Sequence, residues 1–502
     1  MSKSVPAGEP QIRESVTSVG DSRGLRGRMG APSIVFMVLA CMSPLTGASG
    51  YVGLVVAGGN GIGAPFMFLL VGSTMLVFAV GYIGLIRRIA RPGAFYAYVT
   101  AGLGKRVGLG GAFLTVGTYV CAELGLLAFG GISLSWIISG MFHGPVLSWW
   151  VCAIPFLAIA AVLSYFHVAV SARLLGVILV IELILVLAYD AVVAVRGGRE
   201  GISANSFTID ALTTGSVPLA FLFCLTLFSG WESTALYYEE VKDPQRTIAK
   251  ATYAIVGVVA ALYVVTAWML ITGYGASQAY EAISADYSTA FGTSVTEYLG
   301  TFVNDVINVF LVTGILASVL SMNSMISRYV YSLGVDGVAP RYFGKASERH
   351  GAPVRAAALV TLVLGAGLAA VVATGAEANN VLALTSGMGT YGFLIMFLLA
   401  SVAILVFFLR DPETSPLRQA VMIGSALVAG AVFAFMVVYV AGNLDLIVGD
   451  QPALTLALQI LVYATFAFGV AWASYLARAR TNVFDNIGRQ DFLDEAELPK
   501  NL

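Results

Sequence analysis

Charge is what this chain has least of. Only 11% of its 502 residues are Asp, Glu, Lys or Arg, while 58% are hydrophobic; a soluble protein carries about 25% charged residues. Such a chain cannot be mostly in water, so it reads as a polytopic membrane protein. Histidine is scarcer still: His143, His167 and His350 are the only three, and none pair at ligand spacing. The four cysteines, Cys41, Cys121, Cys152 and Cys224, lie inside apolar runs and suggest neither a disulfide framework nor a metal site. With no P-loop and no clustered His or Cys, neither an enzyme nor an ATP-driven pump is supported. No ring of charges or filter motif argues for a channel. The net charge of −1 says little about partners; where the charges lie says more.

Apolar runs are what the chain has in abundance. Twelve lie near 33–57, 65–87, 108–140, 147–166, 171–195, 216–241, 249–273, 302–332, 356–374, 380–409, 419–441 and 453–477. Each approaches or exceeds the roughly 20 residues a bilayer requires. The third and eighth exceed it, which predicts tilt or extension into a vestibule. With the N-terminus inside, 25 of the 27 Lys and Arg residues fall on the inner side and only Arg196 and Arg199 on the outer. That asymmetry orients the chain, and an even number of spans returns the C-terminus inside. Residues 1–30 are polar and read as a cytoplasmic tail rather than a signal peptide. A second cytoplasmic tail is expected over 479–502.

The first run is interrupted. Cys41-Met42-Ser43-Pro44-Leu45-Thr46-Gly47-Ala48-Ser49-Gly50 puts a proline and two glycines at its centre. Pro44 lacks an N–H and crowds the preceding turn. Broken backbone at membrane depth survives only where protein covers it or a watery cavity receives it, and transporters put their substrates at such breaks. The sixth run is broken too, at Phe228-Ser229-Gly230-Trp231-Glu232. Five runs separate the two breaks, so the second set of five starts from the opposite side of the membrane. That is the layout of an inverted repeat, with 31–196 as its first half, 216–410 as its second, and two peripheral helices over 411–478.

Four stretches carry a resemblance to the amino acid–polyamine–organocation (APC) superfamily of permeases. They are the interrupted first run through Gly58-Gly59-Asn60-Gly61-Ile62-Gly63; Gly93-Ala94-Phe95-Tyr96-Ala97-Tyr98; Phe228 to Glu232 with Tyr238-Glu239-Glu240-Val241-Lys242-Asp243-Pro244-Gln245-Arg246; and Asn323 to Pro340 through Arg328-Tyr329 and Leu333-Gly334-Val335-Asp336-Gly337. The resemblance covers about residues 30 to 480. It implies an all-α fold of twelve transmembrane helices, a LeuT-type five-plus-five inverted repeat with discontinuous helices 1 and 6, working by alternating access.

The breaks supply the candidate chemistry. Free N–H groups and a positive dipole end at the first favour a substrate carboxylate, with Thr46, Gly47, Ala48, Ser49 and Gly50 as candidates; the resemblance implies the same. The other reading is a small-residue notch for helix packing. At the second break, Phe228, Ser229, Gly230 and Trp231 offer carbonyls to an ammonium and an aromatic face to a cation, unless Trp231 packs into core or lipid. Ser229-x-x-Glu232 also matches a capping box, while the resemblance links a carboxylate at Glu232 to proton coupling. Two more glutamates, Glu123 and Glu182, lie deep in runs without a basic partner, and intramembrane carboxylates are functional suspects. Related permeases often carry Lys nine residues after an Ala-Arg pair; here Ala172-Arg173 is followed by Glu182. That residue is a proton carrier, a cation ligand, part of a basic-substrate site, or a hydrogen-bonded neighbour of Ser or Tyr. In the eighth run Ser318, Ser321, Asn323 and Ser324 could complete an ion site or bond within the helices. At the inner surface, Gly93 to Tyr98 and the charges Glu239, Glu240, Lys242 and Arg246 are candidate gate elements.

The expected function is import of an amino acid across a cell membrane by a secondary active transporter, coupled to protons. Alternatives are a polyamine or other organic amine, or substrate exchange. Expected partners are that small molecule and the lipid bilayer, with no nucleic acid. No metal or cofactor is expected, and the coupling ion is expected to be H+.

Overall fold

The computed structural model describes residues 30–89, 95–166, 172–232, 234–235, 243–347, 353–412, 414–448 and 452–487. Gly93, Ala94, Glu239, Glu240, Lys242, and residues 1–29 and 488–502 of the two expected tails lie outside them. All regular structure within the described residues is helical. The principal helices are α1 (Ala31–Met42), α2 (Ala64–Ile89), α3 (Phe95–Leu103), α4 (Lys105–Trp136), α5 (Trp149–Phe166), α6 (Ala172–Arg196), α7 (Val217–Thr226) and α8 (Pro244–Tyr274). Beyond them come α9 (Ala279–Ala285), α10 (Ala290–Leu299), α11 (Thr301–Val335), α12 (Val354–Ala373), α13 (Ala378–Arg410), α14 (Pro416–Ala441) and α15 (Pro452–Ala479).

Nine helical stretches among the described residues are long and apolar enough to cross a membrane. The difference from twelve runs has a physical cause at three of them. The first and second runs are counted together as one apolar stretch, Pro44–Ile89, of 46 residues, although the backbone kinks between them at Gly59 and Gly61. The fourth and sixth runs yield shorter apolar helices, Trp149–Ser164 and Val217–Thr226, the latter stopped by the second break. The long third and eighth runs are single helices, α4 and α11, of 32 and 35 residues. At 1.5 Å per residue they span about 48 and 53 Å, more than the hydrocarbon core.

Helix α1 stops at Ser43, whose φ of 41° is left-handed. A residue before proline is kept out of the right-handed helical region, and Pro44 then opens the next helix, where its missing N–H costs nothing. The arm that follows, 44–63, is irregular. It passes through π-helical turns at Gly47–Tyr51 and Val56–Asn60 and a 3₁₀ turn at Gly61–Gly63. The sixth run ends differently. Three tight bonds, from the N–H groups of Leu227, Phe228 and Ser229 to the carbonyls of Cys224, Leu225 and Thr226, close α7. Gly230 then takes φ 108°, a conformation that strains any residue with a Cβ.

Helix α4 lies at the centre, packed along α13 and α15. Small residues permit the approach: a Cβ on Gly392 would strike Thr118, and one on Gly125 would strike Ser386.

Candidate functional site

The two breaks face one cavity of about 80 Å³. Met42, Thr46, Gly47 and Tyr51 line it from the first break, and Thr226, Leu227, Ser229 and Gly230 from the second. The rest of the wall comes from α4 (Tyr119, Ala122, Leu126), α11 (Ser318, Met322, Met325) and α13 (Thr390, Phe393). Among the described residues no charged side chain is part of this lining. Hydroxyls tie the wall together across helices: Thr226 with Thr390 at 2.6 Å and Tyr51 with Ser386 at 3.0 Å.

Carboxylates stand directly behind the wall. Glu182 on α6 is buried and reaches the first break, where the Ser43 hydroxyl donates to its Oε2 over 3.1 Å. The N–H of Leu45 donates to the same carboxylate. Ser43 Oγ also lies 2.7 Å from the Thr46 hydroxyl, which lines the cavity. Thus part of the amino end that favours an anion is taken by the protein's own Glu182. At the second break Glu232 accepts from the Tyr119 hydroxyl at 2.6 Å and from the Gly230 N–H at 2.8 Å, two donors that belong to lining residues. Glu123 lies one helical turn beyond Tyr119. It is fully buried, and neither carboxylate oxygen has a hydrogen-bond partner among the described residues.

The expected site residues divide accordingly. Thr46, Gly47, Ser229 and Gly230 line the cavity. Ala48, Ser49 and Gly50 are buried outside this lining, and a Cβ on Gly50 would run into the Phe129 ring. Phe228 packs toward Gly72 of α2. Trp231 lies outside the cavity lining. It is fully buried, its ring stacked at 6.4 Å on Phe397 and edge-on to Phe78 and Tyr82 at 6.0 and 5.4 Å. The capping box is also displaced. Glu232 takes the N–H of Gly230 rather than of Ser229, and the Ser229 hydroxyl turns back to the Leu225 carbonyl. In α11, Ser318 lines the cavity while Ser324 is exposed. Asn323 is buried and accepts from Ser164 of α5 at 3.5 Å, a bond between helices.

Sequence reasoning did not single out Tyr51, Tyr119, Thr226, Thr390, Phe393 or the cavity methionines. Tyr119 had one signal, its place four residues before Glu123 on one helix face. Asp190 was missed as well. It is buried on α6, eight residues beyond Glu182, and accepts from the Thr266 hydroxyl at 2.9 Å.

Comparison with known proteins agrees with this architecture. Residues 30–466 match the amino acid permease family model. An uncharacterized transporter of Mycobacterium tuberculosis is 27% identical over 359 residues, 71% of this chain and 74% of the relative. A probable threonine/serine transporter of Bacillus subtilis is 28% identical over 152 residues, 30% of this chain and 32% of the relative. A cadaverine/lysine antiporter of Escherichia coli is 25% identical over 164 residues, 33% of this chain and 36% of the relative. The chain therefore belongs to the amino acid permease family and is a multi-pass membrane transporter of the APC superfamily, not an enzyme.

Proposed function

We propose that this protein imports an amino acid across the cell membrane by alternating access, with proton movement as the driving force. In this reading twelve helices form a LeuT-type inverted repeat over 31–410, the helices over 411–478 are peripheral, and both termini are cytoplasmic. The observation that carries it is the bond from Ser43 to Glu182. One carboxylate holds the break of the first helix, and the same serine touches the cavity wall at Thr46. Ionised, Glu182 draws two donors to itself, and bonds to a charged acceptor contribute about 1.5–3 kcal/mol each. Protonated, it loses much of that attraction and frees the arm to move. Loading a proton and repositioning the substrate-lining segment are then one event.

The lining favours an amino acid. Hydroxyls and break backbone supply polar contacts for a zwitterion, and Met322, Met325, Leu126 and Phe393 surround an uncharged side chain. An organic amine is the second reading. Glu123, Glu182 and Glu232 lie at one remove from the cavity, with no Lys or Arg in its wall among the described residues, and one relative is named for cadaverine and lysine exchange. The test is uptake into proteoliposomes of labelled amino acids and of putrescine, under an imposed proton or sodium gradient. Amino acid uptake that follows the proton gradient is expected. Putrescine uptake with amino acids inert would replace it with the amine reading, and sodium dependence would remove the proton.

A further inference from the structure

The seam between α6 and α8 carries a succession of polar side chains that leads away from the cavity. At its inner end is Glu182, bonded to Ser43. The Tyr263 hydroxyl of α8 reaches the carbonyl of Pro44, next to Ser43, at 3.5 Å. One turn further along α8, Thr266 donates to Asp190 of α6. Asp190 is 4% exposed, and its Oδ1 is a buried acceptor without a partner among the described residues. Beyond it, the Tyr189 hydroxyl lies 2.7 Å from that of Ser294 on α10, and Tyr298 donates to the Gly273 carbonyl at 2.9 Å. The file ends at the exposed Arg199–Glu297 pair.

Burying a carboxylate with half its acceptor capacity unmet is costly, and packing alone gives no reason to keep one there. Glu182 and Asp190 are eight residues apart on one helix, about 12 Å along its axis. Val186, between them, is fully buried, so a path along α6 alone is closed, whereas the α8 side offers hydroxyls at Tyr263 and Thr266. The titratable group beside Asp190 is Tyr189 on its own helix, which in turn faces Tyr274 of α8 and Tyr298 of α10, with Arg199 over the Tyr274 ring and Arg196 over the Tyr298 ring. Of these groups among the described residues, Asp190 is the carboxyl, and it is buried.

We propose that Asp190 is the outer proton station of the transporter, taking a proton from the external side and passing it along the Thr266–Tyr263 seam to Glu182. This rests on the proton-coupled reading above. The step balances without redox chemistry. An O–H bond forms on Asp190 as external hydronium gives up its proton; that bond breaks as the Glu182 carboxylate takes the proton; Glu182 later releases it inward. Asp190 acts through Glu182 and is a positioning residue for the proton, not a substrate contact.

The test uses full-length protein in proteoliposomes with internal pH fixed and external pH varied. Asp190→Asn keeps an acceptor for Thr266 but holds no proton. It should lower proton-driven uptake about a hundredfold, the lower end of the range for a lost proton-transfer group, while counterflow at equal pH stays near wild type. Asp190→Glu should restore the drive, and Thr266→Val should shift the external-pH profile of uptake without changing counterflow. An Asp190→Asn profile that tracks wild type at every external pH overturns the assignment. So does an equal loss of drive and counterflow that Asp190→Glu fails to restore. A wild type indifferent to the proton gradient overturns the coupling reading itself and this station with it.

Discussion

Ser43 and Glu182, 139 positions apart in the chain, are joined by a 3.1 Å hydrogen bond at the point where the first helix breaks. Ser43 is there in a left-handed conformation, which costs a residue with a side chain about 1–3 kcal/mol. Its bonds to Glu182 and Thr46 offset that cost. Substituting Glu182 with Gln leaves a neutral acceptor for Ser43 but nothing to protonate. Counterflow of substrate should persist and gradient-driven accumulation should vanish, as read by uptake with and without an imposed pH difference.

Gly314 of α11 closes the same contact from the other side. A Cβ there would collide with Glu182 Oε1 and Ser43 Oγ. Gly314→Ala should keep the fold, lower stability by about 1–3 kcal/mol as an overpacked site does, and weaken coupling by displacing the carboxylate. Thermal unfolding in detergent and proton-driven uptake check the two effects separately.

At the second break, Tyr119→Phe removes the hydroxyl donor to Glu232 and leaves the Gly230 N–H in place. Losing a bond to a buried carboxylate costs about 1–3 kcal/mol. Because Tyr119 also lines the cavity, the apparent KM for substrate should rise together with a fall in the maximal rate. A change confined to thermal stability would show that the bond is only structural.

Gly230→Ala addresses the break's backbone. At φ 108° an alanine is strained by about 1–3 kcal/mol. The same N–H holds Glu232, so relief of the strain would release the carboxylate. Transport should fall more than for Ala substituted at Gly257, whose Cβ would meet nothing within 4 Å.

Outside the membrane, the Glu200 carboxyl is held below its ordinary value of 4.5 by hydrogen bonds from the Ser277 hydroxyl and N–H. A carboxyl lowered by folding contributes its stabilisation above the unfolded value and loses it as pH falls through the folded one. Hydrogen exchange at the Ser277 amide should therefore quicken, relative to its neighbours, as pH drops below the ordinary carboxylate range. Glu200→Gln should abolish that dependence.

The breaks are legible in the sequence because proline and glycine act locally: Pro44 dictates what Ser43 does, and Gly230 alone tolerates its φ. Glu182 is legible because an acid without a basic partner is conspicuous in an apolar run. The direction of a side chain is not legible. Trp231 is set by aromatic rings supplied from α2 and α13, none of them near it in sequence. The Ser229-x-x-Glu232 spacing fits a capping box, but the positive φ at Gly230 moves the free N–H one residue along. Thr226 and Thr390 meet from runs 164 positions apart, and neither carries a sign that it faces a cavity. Asp190 sits six residues from the end of α6, where an acid reads as a residue at the membrane surface.

The aromatic nest around Trp231 reaches further than the cavity. Phe433 of α14 meets Phe78 and Phe397 at ring separations of 5.7 and 5.6 Å, the same two rings that hold Trp231. The second break is thus geared through two shared rings to α14. Displacing Trp231 must therefore either carry α14 along or slide the shared rings past Phe433.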